Sequence, residues 1–514
     1  MHGSTGERTV KNAAYGFVSY LWPMLFSFFL TPFIIHRLGV KEYGVYVLLL
    51  TIVSFFSLLN FGFIYSFVKE LSAANAETEA SAARMRQIFG ATLVIFTAVG
   101  IIAIITGVVL MFFGTDLFGI DVIQSSAVQT SFLIVGFIGF LNSLSLVYSH
   151  IPFALQRQDI GTTVYIANIT ITGLLTIVAL FFGKGVVWLI GIQVVSSTFS
   201  LITLYWYSRK IAPWLTPAFT ASRSMYRQLA AAGGFMYMHN LSSSFLAQLD
   251  RVIISSMAGS AALTYYAVPG SLTEKIQGTV TSLSGILFPL TSQMLEQGRH
   301  DELRRMYRRA MTVILLLSSA LAASIAVFGN KILLYWVGAE IAVVSTPILY
   351  WLVPTYFLLA IFMPLTNFLG GLGKTKFLAL SSVSMAALNI ALLSMLLPSY
   401  GILGAAIAYF GSLLPLVGVI YYIEKYYFAL EGIGRFYLVL AGKLLATLAL
   451  FCAVAVPVNA YGVSNLLTLV FVGPLFVVGF IGIYKLLGFF GEEDSELMGR
   501  VIRSFLRKLS ILKA

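Results

Sequence analysis

The chain has 514 residues, of which 59% are apolar and only 10% charged, with a formal charge of +12. Soluble domains carry roughly 25% charged residues, so this composition excludes an ordinary soluble globule. A bilayer core about 30 Å thick takes about 20 helical residues per crossing, which leaves room for well over a dozen crossings.

Apolar segments run over residues 14–35, 45–68, 89–113, 125–151, 163–182, 186–207, 232–257, 263–293, 310–336, 343–372, 377–397, 402–423, 437–458 and 464–488. The first begins near Gly16 and continues without a small-residue cleavage pattern, so it is expected to stay as a helix. Pro23, Pro32, Pro269, Pro289 and Pro364 interrupt several segments, as membrane helices allow where protein or water satisfies the freed backbone. The prediction is an all-α polytopic membrane protein of about 14 transmembrane helices. It divides into a six-helix lobe at 1–207, a linker at 208–231, a second six-helix lobe at 232–423, two additional helices at 424–490, and a tail at 491–514. In the tail, Met498, Val501, Ile502, Phe505, Leu509 and Leu512 recur at helical spacing opposite Arg500, Arg503 and Arg507, the pattern of an amphipathic helix on anionic lipid. The linker, with Arg209, Lys210, Arg223 and Arg227, reads equally as a solvated connection or a helix lying on the membrane.

With both termini on the cytoplasmic side, the inner connections and tail hold 26 of the 32 Lys and Arg and 14 of the 20 acids. The inner face then carries the whole +12, which is the positive-inside pattern of a protein in the cytoplasmic (inner) membrane. Such cations read as topology signals, and no nucleic acid is expected as a partner. The single cysteine, Cys452, excludes an intramolecular disulfide, and no metal-ligand spacing occurs.

Offset by 220, LGVKEYGVY (38–46) overlies AGSAALTYY (258–266), aligning Gly39 with Gly259 and Tyr46 with Tyr266. Offset by 216, LFFGKGVVW (180–188) overlies LLPSYGILG (396–404), aligning Gly185 with Gly401. This displacement equals six spans, an even number, so the two repeats are parallel. Together with TPFIIHRLGVKEYGVYVLL (31–49), NFGFIYSFVKELSA (60–73), LDRVIISSMAGSAALTYYAV (249–268) and LLPSYGILGAAIAY (396–409), this arrangement resembles the polysaccharide flippase family of the multidrug, oligosaccharidyl-lipid and polysaccharide exporter superfamily. That family often has an acidic residue where this chain has Asn60. The resemblance implies a V-shaped pair of lobes around a central cavity and translocation of lipid-linked oligosaccharide from the cytoplasmic to the outer leaflet by alternating access.

Histidines aside, four ionisable residues fall well inside predicted spans: Asp250, Arg251, Glu274 and Lys275. An intramembrane charge costs at least about 2.5 to 3.5 kcal/mol on insertion scales, so each should face protein or water. Asn240, Ser244, Gln248 and Arg251 share one helical face, and Glu274, Gln277, Thr281 and Ser284 share another. Two readings are open. Arg251 and Lys275, with Asn240, Gln248 and Gln277 around them, could grip the diphosphate of a lipid carrier while Asp250 or Glu274 binds a coupling ion. Alternatively the hairpin neutralises itself as a structural ion pair, Asp250 with Lys275 or Arg251 with Glu274. Arg37 as a phosphate guide, Asn60 at a kink and His239 as a proton relay are weaker candidates, against an interfacial anchor, a bend and a packing histidine.

The leading function is a flippase for a polyprenyl-diphosphate-linked oligosaccharide, working beside a glycan polymerase and glycosyltransferases. A cation-coupled multidrug exporter is the alternative, although the four intramembrane charges sum to zero where cationic drugs call for an acidic cavity. A membrane glycan polymerase or ligase lacks both a substantial outer loop and any grouped nucleophile and base, so no catalytic residue is assigned. No GxxxxGK[ST] loop occurs, and no cofactor is expected. Energy would come from an H+ or Na+ gradient or the membrane potential.

Overall fold

The computed structural model describes residues 5–58, 63–73, 78–120, 125–155, 157–231, 234–285, 287–428 and 433–489, and every regular element among them is helical. Hydrocarbon offers the backbone no hydrogen-bond partner, so a spanning segment must satisfy itself, and helices do so. The elements are α1 (Thr5–Leu38), α2 (Val40–Phe56), α3 (Phe63–Ala73), α4 (Glu79–Leu117), α5 (Ser125–Ala154), α6 (Gln158–Phe181), α7 (Val186–Ile211), α8 (Arg223–Ala231), α9 (Gly234–Ser284) and α10 (Leu287–Glu296). They continue with α11 (His300–Val337), α12 (Ala339–Gly371), α13 (Thr375–Ser412), α14 (Pro415–Ile423), α15 (Ile433–Pro457) and α16 (Leu466–Leu486), and π-helical turns at Glu424–Phe428 and Val458–Gly462. Among the described residues eleven helices are long and apolar enough to cross a membrane. Two of these, Tyr237–Ser284 and Thr375–Tyr427, have 48 and 53 residues, more than twice the length one crossing needs. Each is divided by a glycine with non-helical backbone, Gly259 and Gly401. The amphipathic tail and Asn60 lie outside the described residues.

By contact the chain forms two compact units, Met1–Ser271 with Lys374–Pro415, and Leu272–Gly373 with Leu416–Ala514. In the first unit an apolar cluster around Phe67, Phe89, Phe96, Val147 and Ile151 also takes in Ala212, Leu215 and Leu229 from the linker. The linker is held there by hydrogen bonds. Arg86 Nε donates to the Trp214 carbonyl at 3.1 Å, and the Ala218 amide donates to the Arg86 carbonyl at 2.9 Å. Ser66 Oγ donates to the Leu229 carbonyl at 2.8 Å, pinning α8 to α3. The apolar residues of the linker thus pack on protein, against α3, α4 and α5. In the second unit Phe328, Phe451, Phe480 and Tyr484 form the core between α11, α15 and α16, and Lys331 Nζ donates to the Val463 carbonyl at 2.9 Å.

The repeat is visible in the backbone. Gly39 has φ 81° and ψ 168°, and Gly259, 220 residues later, has φ 85° and ψ 171°. Only glycine visits this region without a steric penalty. The segments that follow cross each other reciprocally within the first unit. Thr264 Oγ1 donates to the Val40 carbonyl at 2.7 Å, while a Cβ on Gly44 would fall 1.8 Å from the Ser260 carbonyl oxygen. Under the 220 offset Val40 corresponds to Ser260 and Gly44 to Thr264, so the same two positions meet each other from both sides, as at a two-fold interface. The 216 pairing is looser: Gly185 is extended, with φ −86°, whereas Gly401 has φ 57°.

Overpacking a close crossing costs about 1 to 3 kcal/mol. Gly44→Ala is expected to lower the thermal unfolding midpoint in detergent. Gly191→Ala, whose Cβ would meet nothing within 4 Å, should leave the midpoint unchanged or raise it.

Candidate functional site

Between Tyr237 and Ala258 the first arm of α9 is regular helix, so the spacing of its polar residues becomes a real face. Asn240, Ser244, Gln248 and Arg251 are each half-buried. Gln248 Oε1 is buried and has no hydrogen-bond partner among the described residues. Arg251 stands close enough to Tyr43, on α2, for their electrostatic interaction to be felt. Tyr43 in turn is hydrogen-bonded to the side chain of Thr31 on α1.

Successive helical residues are about 100° apart, and Asp250 accordingly turns away from that face into the protein, where it is 1% exposed. Tyr266 Oη donates to its Oδ2 at 2.8 Å, and the buried amide of Asn389, on α13, stands beside the same carboxyl. The carboxyl therefore meets a tyrosine and an amide, with the charge of neighbouring Arg251 acting on it through space, while Oδ1 has no hydrogen-bond partner among the described residues. The arrangement suits a bound proton or a small cation, because either would satisfy that bare oxygen.

The repeat shows how the site arises. Tyr46, the counterpart of Tyr266, bonds the side chain of Gln193, since the position equivalent to Asp250 is Leu30. The first repeat keeps neutral polar pairs: Ser196 Oγ to Asn168 Oδ1 and Ser197 Oγ to Asn142 Oδ1, both at 2.8 Å. At this matched position one copy carries a carboxyl, Asp250, and the other an apolar side chain, Leu30.

Beyond Ser271 the polar residues belong to the second unit. Glu274 is exposed and Lys275 half-buried, and the Glu274 charge acts on Lys275. Gln277 Nε2 donates to Met363 Sδ at 3.3 Å, so this amide is committed to α12. Asn367 Nδ2 likewise donates to the Ser284 carbonyl at 3.1 Å. His239 is buried, its Nδ1 2.6 Å from Ser382 Oγ, in the manner of a packing histidine. Arg37 lies over the rings of Phe33 and Phe181 at 5.7 and 5.2 Å, an aromatic clamp on the guanidinium.

Sequence reasoning did not assign Tyr266 or Asn389 to the site. Tyr266 was marked only as a repeat position. Asn389 stands alone in the apolar run 377–397, and an isolated amide in such a run is the signal that points to a buried partner.

The family model described as polysaccharide biosynthesis protein matches residues 9–295, and the model described as MatE matches residues 236–395. A Shigella flexneri protein provisionally named an O-antigen transporter is 22% identical over 407 residues, 78% of this chain and 94% of that protein. The inward closed conformation of the lipid II flippase MurJ has a TM-score of 0.67 at 14% identity, covering 92% of this chain and 98% of that one. The MATE multidrug transporter DinF-BH in complex with R6G has a TM-score of 0.63 at 14% identity, covering 83% and 98%. These structural likenesses establish the fold.

A hydrogen bond to a charged group contributes about 1.5 to 3 kcal/mol and one between neutral groups about 0.5 to 1.5. If Asp250 is ionised, Tyr266→Phe should destabilise the protein in detergent unfolding more than Tyr46→Phe does. Equal losses in the two variants mean that Asp250 is neutral in the folded protein.

Proposed function

This chain belongs to the polysaccharide biosynthesis protein family, and we propose that it is a flippase carrying a polyprenyl-diphosphate-linked oligosaccharide from the cytoplasmic to the outer leaflet by alternating access. The observation that supports this most directly is the division of labour on α9. Arg251 shares a half-exposed polar face with Asn240, Ser244 and Gln248, while Asp250, one residue away, is withdrawn into the protein. A cation among neutral donors suits an anionic diphosphate, and the guanidinium suits a bidentate grip on its oxygens. Lys275, in the second unit, is a separate candidate for a point-charge contact with the carrier.

In this reading Asp250, held by Tyr266 and Asn389, takes the coupling ion, a proton or sodium. The carrier's prenyl tail remains in the bilayer while the headgroup follows the polar face. Both termini lie in the cytoplasm of an inner-membrane protein, with the +12 charge on the inner side. The relatives named above are transporters, and the chain is read as a transporter rather than a catalyst. Its natural neighbours are the glycosyltransferases that build the lipid-linked unit and the polymerase that consumes it.

A second reading, a cation-coupled multidrug exporter, draws support from the MatE match over residues 236–395 and the likeness to DinF-BH. A withdrawn acid beside an outward-facing arginine disfavours a cationic cargo, because the charge left on the polar face is positive.

Reconstitution in liposomes with a labelled polyprenyl-diphosphate oligosaccharide, scored by protection from an external probe, separates the two. Protein-dependent leaflet transfer is expected, and Arg251→Gln and Lys275→Gln should each slow it by about tenfold, the loss of one charge-assisted contact. Efflux of a cationic dye without transfer of the lipid would establish the exporter instead.

A further inference from the structure

Glu424 lies one residue past the apolar segment 402–423. Its side chain is fully buried in the second unit, at the start of the π-helical turn Glu424–Phe428. Two tyrosines converge on one of its oxygens. Tyr307 Oη, from α11, donates to Oε1 at 3.0 Å, and Tyr437 Oη, from α15, donates to the same atom. Oε2 is buried and has no hydrogen-bond partner among the described residues.

The surroundings supply little to neutralise a charge there. Tyr307 packs edge-on against Phe368 of α12, with ring centroids 5.0 Å apart. Lys425, the next residue, turns to the Tyr421 hydroxyl at 2.9 Å and to the Tyr426 ring. Arg308 on α11 is near enough to act on the carboxyl through space, but its side chain is exposed and no ion pair to Glu424 occurs among the described residues. An ionised carboxylate with one bare oxygen in such a setting loses its hydration without recovering it, at a cost of several kcal/mol. A proton on Oε2 removes that charge and leaves Oε1 as the acceptor for both tyrosines.

We infer that Glu424 is a proton-binding site of the transporter, separate from Asp250 and placed beneath the cationic inner rim of the second unit. The geometry gives the bound proton a structural consequence. Tyr437, which shares Oε1, also lines an apolar cavity of about 540 Å³ between α11, α12 and α15, walled by Leu315, Ala323, Pro354, Phe357 and Leu444. Losing the proton strengthens the hold of the carboxylate on the Tyr437 hydroxyl, since charge-assisted bonds are about twice as strong as neutral ones. Gaining it frees the ring to move against the open space beside it. A π-helical turn, common where a helix must rearrange for function, carries the acid. Proton occupancy on the inner side is thereby tied to the packing of α15 against α11.

The test is infrared difference spectroscopy of the full chain in liposomes, which reads the stretch of protonated carboxyl groups and its shift in D2O. At neutral pH, where exposed acids are ionised, the wild-type protein should show a protonated glutamic acid. The band should shift when the protein is made with 13C-glutamate, and it should be lost in Glu424→Gln but not in Asp250→Asn. A band that survives Glu424→Gln in folded protein overturns the assignment. Should Glu424→Gln fail to fold, the labelled wild-type protein still decides, because absence of any 13C-glutamate-sensitive band at neutral pH also overturns it. Neither readout uses the transport substrate, so the outcome is independent of the cargo proposed above.

Discussion

Hydrocarbon supplies no hydrogen bonds, and the rest of this structure follows from that constraint. It forces the backbone into helices, and it makes each polar side chain within a span expensive unless protein or water receives it. The chain answers in two ways. Neutral residues pair with one another, as Asn168 does with Ser196 and Asn142 with Ser197. Acids are enclosed by tyrosines: Asp250 by Tyr266, and Glu424 by Tyr307 and Tyr437. A phenol can donate one strong bond while its ring fills an apolar space, which makes it well suited to reach a carboxyl inside a bundle.

The parallel repeat gives these pairs their positions. Gly39 and Gly259 turn the chain with the same backbone conformation, and the segments after them cross through Gly44, Ser260, Val40 and Thr264. A symmetric crossing of this kind places Tyr46 and Tyr266 at matching points. What breaks the symmetry is one substitution in the pattern, Leu30 in the first copy against Asp250 in the second. The buried carboxyl thus belongs to one copy of a scaffold that both copies share.

Much of this was legible in the sequence because it rests on short-range rules. Helical periodicity put Asn240, Ser244, Gln248 and Arg251 on one face, and the structure keeps all four half-buried there. The glycine alignment at offset 220 identified a turn that recurs with the same φ and ψ. Residues whose meaning depends on a distant partner were harder. Asn389 lies well over a hundred residues from Asp250, and nothing in its own apolar segment says which helix it faces. Glu424 fell at a span end, where one residue separates a solvated acid from a buried one. The linker's Trp214, Leu215 and Leu229 are apolar enough to pack, but only their arrival at Arg86, Phe89 and Ser66 shows on what.

By itself the sequence determined a helical membrane protein with a duplicated core, since composition, hydropathy and periodicity are local properties and survive without knowledge of contacts. Tertiary structure decided which acids are enclosed, by which tyrosines, and which way Asp250 and Arg251 point. Those outcomes depend on helices meeting across long stretches of chain, where a rotation of about 100° per residue sends neighbouring side chains into protein and onto an open face.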